Sequence, residues 1–371
     1  ICNIRFESSI MSFAFNGKYI MARDDENNPK FLIKALVPFH DVKHVMKGKE
    51  SIKVPSLKLE VFPSNALDAL SSRSLKYCRF NFSRNGMEVA SLGDLDLTLS
   101  YRKHFVPLCT LETSLGISLP FGNKIDNDNP YFFPPIVGNG KHFGIYYVSQ
   151  MELILSENLE RTLKMLVVGT TSYLAPNTQY RTFCLKNKPL SCYIPAYRDY
   201  KLPTEKKDNL CNFITFPCSV SPWFSFSFTT ELRFCKELFD ICAGYTMFSR
   251  QAESVEINRE LPDIVLASGT DESSDISPVR SVSTRFKDED VSFGSDDPRK
   301  DARYYAAMLR PGDIDVLSGV HPAILLGIGY LKTLVRFNDK FSGEFGGSFR
   351  YCHNNTAIRY KTFWCSLSYE F

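Results

Sequence analysis

The feature that most limits what this chain can become is a period of two. In "DLDLTLSYR", Leu95, Leu97, Leu99 and Tyr101 alternate with Asp94, Asp96, Thr98, Ser100 and Arg102. In "TLETSLGISLPF", Leu111, Thr113, Leu115, Ile117, Leu119 and Phe121 alternate with Thr110, Glu112, Ser114, Gly116 and Ser118. In "PWFSFSFTTELRF", Phe224, Phe226, Phe228, Leu232 and Phe234 oppose Ser225, Ser227, Thr229, Glu231 and Arg233. "KFSGEFGGSFRY" sets Phe341, Phe345, Phe349 and Tyr351 against Ser342, Glu344, Ser348 and Arg350. "TFWCSLSYEF" sets Phe363, Cys365, Leu367, Tyr369 and Phe371 against Thr362, Trp364, Ser366, Ser368 and Glu370. Successive side chains of a strand point to opposite faces, so each segment has one greasy and one mostly polar face. Less regular segments at 142–155, 162–174, 239–249 and 322–336 bring the strands from Asp94 onward to nine. Each is about ten residues or longer, the length that crosses a bilayer as a tilted strand.

The links between these segments sort by length. Those at 103–108, 157–161, 236–238 and 337–340 are short. Those at 122–140, 176–221 and 251–319 are long, and 353–357 is of modest length. Short and long alternate, as in an outer-membrane up-and-down barrel with tight periplasmic turns and extended external loops. The expected fold is therefore all-β: one antiparallel transmembrane β-barrel over 1–371, of about 12 strands, with 10 as the alternative. "FESSIMSFAF" (6–15) is the best upstream strand, 30–39 and 76–83 would add a pair, and 64–72 reads as a short capped helix. The basis is backbone satisfaction, since in lipid only a helix or a closed barrel leaves no unpaired N–H or C=O. No run of 18 apolar residues offers the helix.

Two links stand out by composition. The 176–221 link is rich in Cys and Pro. The 251–319 link is acidic, with 12 Asp/Glu against 6 Lys/Arg between Gln251 and Lys300. It reads first as a solvated surface loop, with a lid over the barrel mouth or a host-contact loop as the sharper alternative. The chain opens with "ICNIRFESSI", which lacks the plan of a signal peptide; a removed leader or a missing true start is expected.

Polar side chains on barrel strands should face a lumen, because a charge in the lipid midplane costs about 2–4 kcal/mol. The expected lumen charges are Asp94, Asp96, Arg102, Glu112, Glu152, Glu231, Arg233, Lys332, Arg336, Glu344 and Arg350. Both signs are present, which suits either a pore with a transverse field or an interior filled by ion pairs. The chain has 11 cysteines and no CxxC, which favours an oxidising compartment over a zinc or thioredoxin-like site. The candidate disulfides are Cys235–Cys242 across a tight turn, and Cys184–Cys192 and Cys211–Cys218 within the long 176–221 link.

Signals for chemistry are poor, and an enzyme is not expected. HExxH, GxSxG and Walker patterns are missing, and no catalytic residue, metal site or cofactor is expected. "GNGKHFG" (138–144) leads into a strand-like alternation rather than the helix a Rossmann turn needs. His40 and His44 have i, i+4 spacing with only Asp41 beside them, and His142 with a serine could be drawn as a rim hydrolase, but nothing singles it out. The 44 Lys/Arg and 41 Asp/Glu leave a net charge of +3, too small to point to nucleic acid.

The run from Leu115 to Asp199 resembles a group of outer-membrane β-barrel surface proteins from Dependentiae-type host-associated bacteria. The likeness rests on Pro120, Gly122 and Asn123, on Pro135, Gly138, Asn139, Gly140 and His142, and on Arg181–Phe183 and Lys188–Tyr193. Cys192 departs from the pattern, which more often has Arg there. The resemblance implies a porin-like surface barrel and carries little mechanism. The function expected is a channel for small solutes, or an abundant surface protein, in a bacterial outer membrane. A cysteine-cross-linked structural coat is the alternative, and an outer-membrane hydrolase the third. The expected partners are outer-membrane lipid, barrel-assembly machinery reading Phe363, Leu367, Tyr369 and Phe371, and further copies or neighbouring surface proteins.

Overall fold

The structure is a computed structural model that describes residues 2–24, 27–50, 87–105, 108–124, 135–158, 161–188, 191, 195–197, 208–257, 265–266, 309, 311–338, 341–352 and 360–369. In chain order the strands are β1 (Cys2–Arg23), β2 (Pro29–Glu50), β3 (Met87–Leu92), β4 (Leu95–Phe105), β5 (Cys109–Leu119), β6 (Gly144–Asn158) and β7 (Arg161–Leu174). Then come β8 (Asn177–Thr182), β9 (Cys184–Leu185), β10 (Pro195–Tyr197), β11 (Asp208–Asn209), β12 (Thr215–Ser221), β13 (Trp223–Lys236) and β14 (Phe239–Arg250). Last are β15 (Ser254–Ile257), β16 (Val265–Leu266), β17 (Ile314–Asp315), β18 (Ile324–Arg336), β19 (Phe341–Cys352) and β20 (Tyr360–Tyr369).

Twelve strands form one antiparallel sheet in the order β1-β2-β4-β5-β6-β7-β13-β14-β18-β19-β20, with β3 also on β2. The nine strands expected from Asp94 onward are β4 to β7, β13, β14 and β18 to β20. Upstream, 6–15 lies inside a much longer β1 and 30–39 inside β2, each of 22 residues. The proposed strand at 76–83 and helix at 64–72 lie outside the described residues. β3 was not anticipated. It shares one edge of β2 with β4: β4 pairs Phe31–Leu36 and β3 pairs Phe39–His44, with the break at Gly93 and Asp94. There the Gly93 amide bonds to the Pro38 carbonyl at 2.6 Å, and a Cβ on Gly93 would strike the Pro38 ring.

Every pairing in the sheet is antiparallel, so direction reverses at each step. The strand ends that border 24–28, 106–108, 159–160, 237–238 and 337–340 therefore fall at one rim, and those that border 51–86, 120–143, 175–222, 251–323 and 353–359 at the other. The sheet is not closed. Among the described residues β1 pairs only with β2 and β20 only with β19. β3 and β4 share one place, so the path has eleven places and its two outer strands run in the same direction. An antiparallel seam between β1 and β20 is thereby excluded.

The two faces are buried in the reverse of the usual sense. On the polar face Ser100 is 0%, Glu231 3% and Glu112 5% exposed. On the apolar face Leu115 is 60%, Phe345 55% and Leu232 50% exposed. The sheet thus curls around its polar side. Two tyrosines reinforce the curl by lying over a glycine strand to reach the strand beyond. Tyr146 of β6 crosses Gly116 of β5 and bonds Thr98 of β4 at 2.6 Å. Tyr330 of β18 crosses Gly244 of β14 and donates to Glu231 of β13 at 2.8 Å. A Cβ at either glycine would collide with the ring, so only glycine leaves this path open.

A second unit stands on the long-link rim. The short strands β8, β12 and β15 pair in the order β15-β12-β8, matching β14-β13-β7 below them. Each follows or precedes its long strand within three residues: Ala175 and Pro176, Pro222, and Gln251 to Glu253. Trp223 takes a positive φ of 63° at one of these joints. This cap has an apolar core of Phe183, Leu185, Leu210, Ile214, Phe216, Val220, Val255 and Ile314. The pairs β9–β17 and β10–β16 tie the 176–221 and 251–319 links to each other. The described ends of the acidic link are therefore packed, not a solvated loop; an alternation of only four to seven residues gave no warning of it.

Candidate functional site: a charged face and a capped rim

The polar face carries a chain of ion pairs that crosses strand boundaries. Glu112 on β5 receives Arg102 of β4 through Nη2 at 2.6 Å and Nε at 2.9 Å. Lys34 of β2 reaches across β4 to the other oxygen of the same carboxylate. Glu152 on β6 pairs with Lys164 on β7 at 2.9 Å. Glu231 on β13 receives Arg233 at 2.8 Å and has Lys332 of β18 at 3.5 Å. Lys332 also approaches Glu344 of β19 at 3.5 Å, and the Trp364 indole N–H donates to Glu344 at 3.0 Å. Asp240 on β14 accepts from Arg336 on β18 at 2.6 Å. Glu112, Glu231 and Asp240 are buried carboxylates, costly without partners, and each of the five acids has a base in reach.

Asp96 and Arg350 lie on the same face, opposite Ser118 and Ile328 respectively. Asp94 does not belong to this group. It is buried beyond the end of β4, where its carboxylate accepts the Gly122 amide at 3.0 Å and the Asn139 amide at 2.6 Å. Sequence reading missed Lys34, Lys164, Asp240, Tyr146 and Tyr330. Lys34 and Lys164 sit in strands whose alternation is interrupted, at Leu32 and Leu36 and at Leu166 and Val168. The tyrosines are signalled only by the glycines that neighbour them in space. At the far edge Phe363 and Leu367 are exposed on the apolar face of β20. Tyr369 ends that strand, and Phe371 lies outside the described residues.

No disulfide joins two described residues, and Cys218, Cys235 and Cys242 are free thiols. Cys235 faces Asp240 and Cys242 faces Arg233, so the two cysteines are diagonal neighbours, not opposed ones. Diagonal positions lie about 7–8 Å apart, beyond the reach of a disulfide. Cys218 and Cys211 are both buried in the cap, Cys211 on the helical turn Leu210–Phe213 and Cys218 on β12. Cys192 lies outside the described residues, so the third pair is undescribed.

The residues that carry the family resemblance build a clasp at the rim. Asn123 bonds the Pro135 carbonyl through its amide and accepts the Val137 amide at 2.5 Å. Gly138 and Gly140 take φ of 80° and 65°, a region open to glycine and strained for most other residues. His142 follows. Its Nδ1 lies 2.7 Å from the Ala175 carbonyl and therefore carries the proton. Its Nε2 accepts from the Gln179 amide at 2.7 Å. Burial pushes its pKa below the usual histidine value, so the ring is held neutral. Both nitrogens are committed to a carbonyl and an amide, and neither hydrogen bond goes to a serine hydroxyl. His40 and His44 lie on strand β2, where four residues span about 13 Å. Their helical spacing is thus dissolved, and His40 instead meets Ser12 at 2.7 Å.

Beside the clasp, Arg181 and Glu253 form a buried pair at 3.0 Å. The Glu253 carboxylate also accepts the His321 amide at 3.3 Å and faces its Nδ1 at 3.1 Å. Burial alone would raise the Glu253 pKa, yet His321, Arg181 and Arg250 together hold it at about 2. This pair locks β8 to the start of the 251–323 link and to the residues that lead into β18.

No protein-family model matches the chain, and no curated protein matches it. Among solved structures, an outer membrane channel from Pseudomonas putida F1 is similar over 99% of this chain and 84% of its own, at 9% identity and a TM-score of 0.48. None of these comparisons supports an origin in Dependentiae; that likeness stands on the clasp and cap residues alone.

Proposed function

We propose that this chain is a porin-like protein of a bacterial outer membrane, whose sheet seals in lipid into a barrel that passes small solutes. The observation that carries the reading is the inverted burial of the sheet. A water-facing protein does not leave rows of Leu and Phe outward while hiding Glu112 and Glu231, whereas a barrel in hydrocarbon must. The strand lengths and the sorting of links between two rims support the same reading. Sealing needs the open backbone edges of β1 and β20 to be satisfied, because unpaired N–H and C=O groups are costly in lipid. The exposed Phe363 and Leu367 on β20 suit recognition by barrel-assembly machinery. No step of this role calls on a nucleophile, a metal or a cofactor.

The test is reconstitution of the full chain in planar bilayers, together with electrophoresis of heated and unheated samples. Stepwise conductance and a heat-dependent shift in mobility are expected. A protein that stays in the aqueous phase, shows no heat shift and passes no current would overturn the proposal. The cross-linked coat has one observation in its favour, the exposed Cys365 thiol on edge strand β20. A ladder on non-reducing gels would turn the preference to the coat.

A further inference from the structure

On the polar face from β6 to β19, near the short-turn rim, Glu152, Glu231, Asp240 and Glu344 are matched by Lys164, Arg233, Lys332 and Arg336, and toward the long-link rim Arg250 and Arg350 share the same face. From β1 to β5 bases also outnumber acids. Among the described side chains, Lys18, Lys34 and Arg102 share the polar side with Asp96 and Glu112. Lys18 and Lys34 are directly opposed across the β1–β2 pair. Like charges in that position repel, and Glu112, already held by Arg102, is the one acid within reach of Lys34. Nothing in the pairing of β1 with β2 requires two lysines at one level.

We infer that the β1–β2–β4 wall is an anion path, at which small inorganic anions such as chloride or phosphate gather and cross in preference to cations. This rests on the channel reading above. Rings and rows of Lys and Arg serve anion pores in this way, because low-dielectric walls focus the field of a few fixed charges. Lys18 and Lys34 present two ammonium groups to the same space, and a passing anion relieves their repulsion.

The experiment is the reversal potential of the full chain in planar bilayers under a gradient of KCl, repeated with Lys18→Gln and Lys18→Glu. Chloride is expected to be more permeant than potassium. A charge about 8 Å from the ion path, screened at about 0.1 M salt, changes the chloride-to-potassium ratio roughly two-fold. Lys18→Gln should therefore lower the ratio about two-fold and Lys18→Glu about four-fold. If Lys18→Glu fails to assemble, Lys18→Gln, which adds no charge, carries the test. Steady conductance that favours potassium, or a ratio unmoved by these changes, overturns the anion path and leaves the channel standing. Absence of conductance from every preparation overturns the channel and this inference together.

Discussion

The twelve-stranded sheet and the cap are built from the same chain by opposite rules. In the sheet, polar residues are buried and large apolar ones exposed; in the cap, Phe183, Leu210, Ile214 and Val220 are fully enclosed. The strands that cross from one unit to the other make the contrast sharp. β7, β13 and β14 continue as β8, β12 and β15 after at most three residues, and the buried positions change parity at each joint. Even numbers such as Lys164 and Thr170 lie on the polar face of β7, while odd Gln179 and Arg181 are buried on β8. Odd Glu231 is buried on β13, while even Phe216, Cys218 and Val220 are buried on β12. A one-residue shift moves every side chain of a strand to the other face. Pro176, Pro222 and the positive φ of Trp223 supply that shift at the level where the surroundings change.

The largest expected effect tests the cap. Phe183 is wholly enclosed, stacks on Phe216 at 6.1 Å between ring centres, and closes the space that a side chain at Gly319 would need. Phe183→Ala should cost the cap about 3–5 kcal/mol, as large-to-small core changes do. Limited proteolysis should then cut in 177–221 while the sheet keeps its heat-dependent mobility. Loss of the sheet as well would show that the two units fold as one. The next effect belongs to the sheet. Leu115→Arg lies mid-strand on the exposed apolar face and should destabilise the protein by about 2–4 kcal/mol in vesicles. The same change on a water-facing surface would fall within about 0.5 kcal/mol. Urea titration in lipid reads the difference, and a negligible effect there would deny that this face meets hydrocarbon.

Much of the sheet is legible in the sequence because alternation is strict wherever one face meets a uniform medium. Phe224, Phe226 and Phe228 against Ser225, Ser227 and Thr229 leave no second reading. The cap is illegible for the converse reason. Its strands are short, its core is assembled from two links distant in sequence, and Phe183, Leu210 and Ile314 carry no periodic mark. Closure was also beyond reach of pattern. Whether β3 occupies its own place or shares one edge of β2 depends on a single break at Gly93, and that break sets the parity of the whole sheet. Lys18 and Lys34 show a further limit: each is an ordinary strand lysine until pairing brings them face to face.

The smallest expected effect concerns pH and again separates the units. At the joint between them, His142 is held neutral by burial between Ala175 and Gln179, with its pKa below the ordinary 6.5. As pH falls through about 6.5, the freed histidine takes up a proton before the folded one does, and the folded cap loses stability on acidification. Glu253 adds a second loss at lower pH. Its carboxyl is held at about 2 against 4.5, so its contribution is complete above about 4.5 and fades as pH falls toward 2. Both groups favour the cap at neutral pH, and both sit at its base. Hydrogen exchange at the Val220 and Val255 amides should therefore quicken from pH 8 to pH 3, corrected for intrinsic rates, while β5 and β14 amides in vesicles keep their protection. His142→Gln should remove the change above pH 5, and Glu253→Gln the change below it. A cap whose protection stays level across the whole range would separate these two groups from its stability and leave Phe183 and its neighbours as the sole hold on the rim.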